Sequence, residues 1–371
     1  MSRILHIISN LTPGGAESNL AKLVEKMDRK RFHHTVVSLG DRGTMADAFE
    51  ADGAEIRTLN LKGPASLIGG LRRLKKLARE AKPNWIQGWM VHGNLAARFL
   101  RGVVPDSKIA WNIRHTLDNL ENEKLRTRAL IKFSAMWSKR ADLILSNSVA
   151  GSEDHERIGY PKAKRKVIPN GFDLDRFRPN PEARAKWRAE LGIPDEAILI
   201  GNAARFHPMK HQTQLVRAAA ELDGAHVLIM GRWIKENEQL LALAKELGVT
   251  NRLHLLDHQL ALEEVHSALD VFCLCSKAAE GFPTVVGEAM ACGVPAVVTD
   301  VGDAALIVGE TGIVVPKSDL KALVSALGEM IERVKNDRES IANACRERIR
   351  DNFALAKVIA EYESLYASPG A

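Results

Sequence analysis

Apolar residues in this chain come in short runs, separated by stretches of amphipathic spacing. Residues 4–9 form a continuous run, too short for a bilayer span, which reads as a buried strand rather than a secretion signal. Residues 16–28 carry Leu20, Leu23, Val24 and Met27 on one stripe at i, i+3, i+4 and i+7, the spacing of a helix with one buried face. Strand-like runs recur at 35–39, 55–59, 84–89, 108–113, 142–147 and 166–168, with helical patterns between most of them. A stretch without periodicity, 168–181, holds three prolines and reads as a domain linker. Strand-like runs resume at 197–203, 225–230, 252–256, 270–275 and 295–299, and 320–367 is mostly helical. This alternation is the pattern of βαβ units around a parallel sheet covered on both faces. The predicted fold class is α/β, with two doubly wound Rossmann-like domains facing an interdomain cleft. Their predicted extents are 1–172 and 173–352, with a last helix at 353–371 packing back on the first domain. Ligands of such sheets bind beyond the carboxyl ends of the strands.

Length and composition agree with this picture. At about 150 residues per domain, 371 residues make two domains. Hydrophobic residues at 46 % and charged residues at 26 % exclude disordered, collagenous and coiled-coil classes. No apolar run reaches the roughly 18–20 residues of a membrane span, and no repeat is visible. Four cysteines without a C-x-x-C pair argue against a zinc site or a disulfide framework, and fit buried thiols in a cytosolic protein. The net charge of +6 hides an asymmetry. Residues 1–172 hold 30 Lys and Arg against 17 Asp and Glu, a net of +13, whereas 173–371 hold 22 against 29, a net of −7. A basic half points to an anionic partner.

Two segments carry candidate chemistry. The first strand-to-helix turn holds Gly14 and Gly15 ahead of Ala16-Glu17. Glycines let a backbone approach a phosphate, and a helix N-terminus offers N–H groups at the positive end of its dipole. Neither G-x-G-x-x-G nor G-x-x-x-x-G-K-[ST] occurs, so dinucleotide dehydrogenases and P-loop ATPases lose their main support. The second segment is Glu280-Gly-Phe-Pro-Thr-Val-Val-Gly-Glu288, in which a loop leads into a helix near Thr284 that ends at Gly293. Glu288 then lies roughly 6 Å along the helix axis from Thr284. Loop and first-turn N–H groups between two carboxylates suit a diphosphate flanked by sugar hydroxyls. A glutamate that merely favours the helix dipole would have the same spacing.

This block, 268–299, resembles the E-x7-E signature of retaining glycosyltransferases of the GT-B fold, specifically glycosyltransferase family 4. Other segments match that family in order: Gly14-Gly15-Ala16-Glu17, Ile168-Pro-Asn-Gly171 with Phe172, Asp173 and Phe177, Arg205-Phe-His-Pro-Met-Lys210, and Gly231. The similarity covers about residues 3–365. It implies that Arg205 and Lys210 hold the donor diphosphate, that Glu288 binds ribose hydroxyls, and that Glu280 binds the donor sugar near its anomeric carbon. Gly281, Phe282, Pro283, Thr284 and Val285 complete the donor site, Phe282, Thr284 and Val285 mainly through backbone N–H. Gly14 and Gly15 belong to the loop that closes on the diphosphate. His115 matches the family's active-site histidine, so the expected catalytic set is His115, Glu280, Lys210 and Arg205. Arg114 and Asn147 are expected on the acceptor side, with Ser148 beside them. Asp173-Leu-Asp175 falls in the hinge segment, and no metal or other cofactor is expected.

The resemblance further implies a nucleotide-sugar donor, with UDP the commonest base in the family, and a saccharide or lipid-linked saccharide acceptor. Residues 66–82 read as a helix with Leu67, Leu71, Leu74 and Ala78 on one stripe and six cations on the other side. This is either an ordinary surface helix or one lying on an anionic inner-membrane surface. The expected location is cytoplasmic, peripheral to that membrane, with no nucleic acid as partner. Two other readings compete: a GT-B nucleotide-sugar epimerase, and a non-catalytic nucleotide-sugar or polyanion binder. The epimerase lacks support because the motifs match the transferase, and Arg205, Lys210, Glu280 and Glu288 occurring together argue against a non-catalytic binder.

Overall fold

Among the described residues thirteen strands form two sheets, and every strand pairing is parallel. The structure, a computed structural model, describes residues 1–117, 120 and 124–367. The chain divides into two compact units, Met1–Asn170 with the segment from Ala356, and Gly171–Leu355. The first sheet holds β1 (Ser2–Ile8), β2 (Phe32–Ser38), β3 (Glu55–Thr58), β4 (Trp85–Trp89), β5 (Lys108–Ile113), β6 (Leu143–Ser146) and β7 (Arg165–Val167). Their order is β3-β2-β1-β4-β5-β6-β7. The second holds β8 (Leu199–Ala203), β9 (His226–Met230), β10 (Leu253–Leu256), β11 (Val271–Leu274), β12 (Ala296–Thr299) and β13 (Ile313–Val315), ordered β10-β9-β8-β11-β12-β13. Each sheet starts in its middle and winds outward both ways, as a doubly wound Rossmann-like sheet does. The order reverses between β1 and β4 in one unit and between β8 and β11 in the other, which makes the carboxyl ends there the places for ligands.

Strand alternation explains why these runs are apolar throughout. In the second unit Leu199, Phe272 and Val298 enter one core cluster, while Ile200, Val271 and Val297 enter another. Successive side chains point to opposite faces, so helices on both faces demand apolar residues at every position. Cys273 and Cys275 sit in this pattern, and all four cysteines are buried and free.

Two expectations are corrected, at β13 and at the basic helix. Strand β13 falls where no strand is predicted, because three residues between Gly312 and Pro316 give too short a pattern. The segment 168–181 does hold the boundary between the units, at Asn170 and Gly171, and within it Ile168, Phe172 and Phe177 are buried. The basic helix, Leu67–Ala81, buries Gly70, Leu74 and Ala78 but leaves Leu67 48 % exposed. Gly70 takes the buried place because a Cβ there would lie 2.3 Å from Leu61 Cδ2.

The C-terminal stretch resolves into Leu320–Asn336, Arg338–Phe353 and Leu355–Ala367. Asp337 ends the first and caps the second through Ser340 N–H at 3.1 Å. Extended backbone at Ala354 ends the second, and Phe172 pairs there with Phe353 O and Leu355 N–H. The last helix packs on the first unit, burying Val358, Ile359, Tyr362 and Tyr366.

Candidate functional site

In the second unit the chain leaves β8 through a turn that carries Arg205 and Lys210. Ala204 N–H donates to Met230 O and Phe206 N–H to Arg232 O, each at 2.9 Å, so the turn runs beside the end of β9. Gly231 makes this possible: its φ is +144°, and a Cβ would lie 2.2 Å from Ala204 O. His207 Nδ1 accepts from Met209 N–H at 3.2 Å and starts the tight turn Pro208–Lys210. The turn ends at His211, in the left-handed region at φ +54°.

The loop after β11 meets this turn. Lys277 N–H donates to Met209 O at 2.9 Å, and the Cys275 thiol to Lys210 O at 3.3 Å. Glu280, 8 % exposed, receives the Lys210 ammonium at 2.5 Å on Oε1, and the same oxygen accepts from Ser276 Oγ at 2.6 Å. Two residues predicted from distant segments are thus in direct contact. Ala279, immediately before Glu280, has φ +60°, so both members of the pair adjoin a strained non-glycine backbone. Gly302 (φ +52°) lies under the loop, where a Cβ would be 2.2 Å from Glu280 O. Arg205 is exposed, and no ion pair holds it among the described residues.

The loop runs through Gly281, whose O accepts from Asp303 N–H at 2.8 Å, and buried Phe282 and Pro283 into the helix Thr284–Ala291. Pro283 is the N-cap and offers no side-chain acceptor, so no cap competes for the leading N–H groups at Thr284 and Val285. Phe282 anchors the loop by stacking on Phe172 at 6.0 Å and meeting Phe353 edge-on at 5.5 Å. Gly287 admits Phe172, since a Cβ would lie 2.1 Å from its ring. Glu288 is half-buried one turn inside the helix. Burial pushes the Cys292 thiol up to about 12, and the Glu288 charge adds to this. The arrangement offers two cations, free helix-terminal N–H groups and two carboxylates around one switch point.

In the first unit, Gly14 is the N-cap of the helix Gly15–Lys26. A Cβ on Gly14 would lie 2.5 Å from Glu17 Oε2, so the Glu17 carboxylate folds back over the helix start. Around Gly15 the same test finds open space. Arg114 is half-buried, donates to Asn170 Oδ1 and lies 5.4 Å over the Trp89 ring. Burial lowers its pKa, against a hydrogen bond to Tyr362 and the charge of Glu17. Its partners tie the glycine loop's helix to the C-terminal helix.

His115 follows β5 and meets His155 edge-on at 5.0 Å. Burial lowers the pKa of both, that of His155 to about 3, so both are neutral at pH 7. His115 Nδ1 and Asn147 Oδ1, in the loops ending adjacent strands β5 and β6, are buried and have no hydrogen-bond partner among the described residues. Orphaned polar atoms of this kind call for an explanation, and a bound hydroxyl supplies one. Ser148 is instead a helix cap, accepting from Gly151 N–H at 3.0 Å. Asp173 is likewise local, accepting from Asp175 and Arg176 N–H at 3.0 and 3.1 Å.

Sequence reasoning gave no role to Ser276, Glu17 or Gly302. Ser276 ends a strand-like run and Gly302 follows β12, positions where strand-end polarity and glycine are the only signals.

Among known proteins, the chain aligns with the EpsF protein of Bacillus subtilis (strain 168) at 25 % identity over 319 residues, 80 % of this chain and 79 % of EpsF. A D-inositol 3-phosphate glycosyltransferase of Mycobacteroides abscessus is 35 % identical over 179 residues, 46 % of this chain. That match spans 40 % of the enzyme, less than half its length. The Anabaena protein HepE, solved in complex with UDP, superposes with a TM-score of 0.86 over 99 % of this chain and 100 % of its own, at 22 % identity. It has also been solved with UDP-glucose, and with UDP and glucose. The model of glycosyltransferase family 4 matches residues 13–176, and that of glycosyl transferases group 1 matches 183–348. With two Rossmann-like units and nearly the whole chain matched, this protein belongs to the family 4 type of GT-B glycosyltransferases, transferases of class EC 2.4.

Proposed function

We propose that the enzyme is a retaining hexosyltransferase, moving a sugar from a UDP-sugar to a hydroxyl of an envelope or lipid-linked saccharide. The carrying observation is Glu280, held by both Lys210 and Ser276, in the loop that leads to the uncapped helix at Thr284. The UDP complexes of HepE support the choice of base.

In this reading Arg205 and Lys210 take the diphosphate together with the N–H groups of Thr284 and Val285. Lys210 then moves its charge from Glu280 toward phosphate, which frees a Glu280 oxygen for sugar hydroxyls. Glu288 holds the ribose. The bond from the anomeric carbon to the diphosphate oxygen breaks, and the acceptor oxygen bonds that carbon on the same face. The acceptor proton passes to the departing phosphate oxygen. Two fixed cations stabilise the developing charge, so no metal takes part. The paired carboxylates are not those of a retaining glycosidase, because one is engaged by a lysine. Neutral His115 and Asn147 orient hydroxyls. Residence in the cytoplasm, with basic helices against an anionic inner-membrane surface, belongs to the same proposal. No helix among the described residues is long and apolar enough to cross a membrane.

The test is a panel of nucleotide sugars scored by thermal shift and donor hydrolysis. A UDP-sugar is expected to raise the melting temperature and to be consumed. Glu280→Ala and Lys210→Ala should each abolish turnover without unfolding the protein. Unaltered kinetics in both would sink the assignment.

A further inference from the structure

The first unit holds a cavity of about 640 Å³ whose lining includes none of the donor candidates. Of its fifteen lining residues eight are leucines, Ser9 and His92 alone carry polar side chains, and no carboxylate lines it. Three segments contribute from the sheet: Ser9 after β1, Leu39 after β2, and Leu59 with Leu61 after β3. The lid comes from the helices Leu67–Ala81, Met90–Arg98 and Leu125–Ser138, through Leu71, Ala96 and Leu130.

The backbone under the cavity needs no water. Leu39 N–H donates to Ile8 O, Gly40 to Ser9 O, Leu59 to Ser38 O and Leu61 to Leu39 O, at 2.8–2.9 Å. The strand ladders therefore continue to the cavity floor, where these backbone N–H groups are satisfied and Ser9 alone brings a polar side chain. A closed core would pack such leucines at crystal density. Here the space is of the size of a ligand site, about 300–1,000 Å³. Its lining extends to the surface through Leu67 and Phe99, 48 % and 50 % exposed. Three cations stand beside it against one acid, exposed Asp41 after Gly40: exposed Lys62 follows Leu61, exposed Arg72 follows Leu71, and the Arg73 guanidinium donates to Leu59 O at 2.6 Å. Aliphatic walls suit a flexible hydrocarbon chain, and the cations suit an anionic group at its end.

We propose that this cavity is a subsite for the aliphatic chain of an amphiphilic acceptor whose headgroup carries phosphate, with Arg73 at the headgroup. The proposal rests on the acceptor-side reading of the first unit and narrows its substrate to one with a lipid chain.

The test is calorimetric titration of the full chain with dodecyl phosphate below its micelle concentration, beside dodecanol and inorganic phosphate. One saturable site is expected for dodecyl phosphate, at least tenfold weaker binding for dodecanol, and none for phosphate. Ala96→Phe, which fills the cavity, should weaken dodecyl phosphate at least tenfold, and Arg73→Gln should weaken it three- to tenfold. Both should keep the parent's UDP thermal shift. If Ala96→Phe fails to fold, Leu130→Phe fills the same space from a half-exposed position. Equal affinity in a folded, filled variant overturns the proposal. So does binding confined to phosphatidylglycerol vesicles, which would assign the surface to a bilayer. Loss of the UDP shift in the parent with dodecyl phosphate binding intact would sink the transferase reading and leave the cavity assignment standing.

Discussion

Glu280 receives two donors on one oxygen, and they do different work. Ser276 comes from the end of its own strand run and fixes the carboxylate locally, whereas Lys210 arrives from another strand and is the group a diphosphate would recruit. Ser276→Ala should therefore cost about 1 kcal/mol of transition-state stabilisation, five- to tenfold in kcat/KM, rather than abolish turnover. Steady-state kinetics on the donor found above checks it. Gly287 gives a structural counterpart. Its absent Cβ is where the Phe172 ring lies, so Gly287→Ala must displace that ring and its stack on Phe282. A loss of about 1–3 kcal/mol in urea unfolding is expected, together with a smaller UDP shift because Phe282 anchors the donor loop. The glutamate pair was legible from its spacing. The Lys210 contact was not, because 70 residues separate the partners and only the adjacency of β8 and β11 joins them.

At the scale of elements, the C-terminal helix Leu355–Ala367 covers a row of buried polar groups. Trp89 Nε1–H donates to His6 Nδ1 at 3.2 Å, so neutral His6 carries its proton on Nε2 and donates to His34 Nδ1 at 3.0 Å. Tyr366 closes the row edge-on to His6 and donates to Gln87. Burial depresses both histidines, His34 to about 4 and His6 well below its ordinary value. A depressed folded pKa means that the unfolded chain binds the extra proton first. The stability is thus whole above about pH 6.5 and is lost as pH falls toward 4. For His34 alone this amounts to about 3 kcal/mol. Urea midpoints across pH 7.5 to 4.5 should fall with acid, and His34→Gln should flatten the slope while lowering the midpoint at pH 7. The periodicity of β1 and β2 marks both strands, yet nothing in it says that His6 and His34 face each other, since that follows from parallel register.

For the molecule as a whole, the division into units decides which fragments can fold. Met1–Asn170 is completed by a helix from the far end of the chain, held by Ser2 Oγ donating to Tyr366 O at 2.9 Å and by Arg31 on Glu363 at 3.1 Å. Buried Val358, Ile359, Tyr362 and Tyr366 each contribute about 1.5–3 kcal/mol of apolar burial, which together matches the 5–15 kcal/mol stability of a domain. A 1–170 fragment should therefore be protease-sensitive and melt non-cooperatively, and fusing 355–371 to it should restore a cooperative melt. Cooperative unfolding of the fragment alone would contradict this. The charge split follows the same division: the +13 half is almost wholly the first unit, which also holds the aliphatic cavity with its cationic neighbours.

By itself the sequence determined the α/β class, the order and rough limits of twelve strands and the two-domain plan, and it named the residues proposed to bind the donor. These are readable because a strand buried on both faces must be apolar at every position, and because loops that bind phosphate or sugar require particular residue types. Tertiary structure decided what depends on proximity between distant segments: the Lys210–Glu280 contact, the orphaned atoms of His115 and Asn147, and the destination of the last helix. It also decided that Leu67 is exposed where Gly70 is buried, which periodicity cannot foresee because it counts apolar residues and not close approach. The cavity belongs to this second group, since its leucines come from five separate segments and each alone reads as ordinary core.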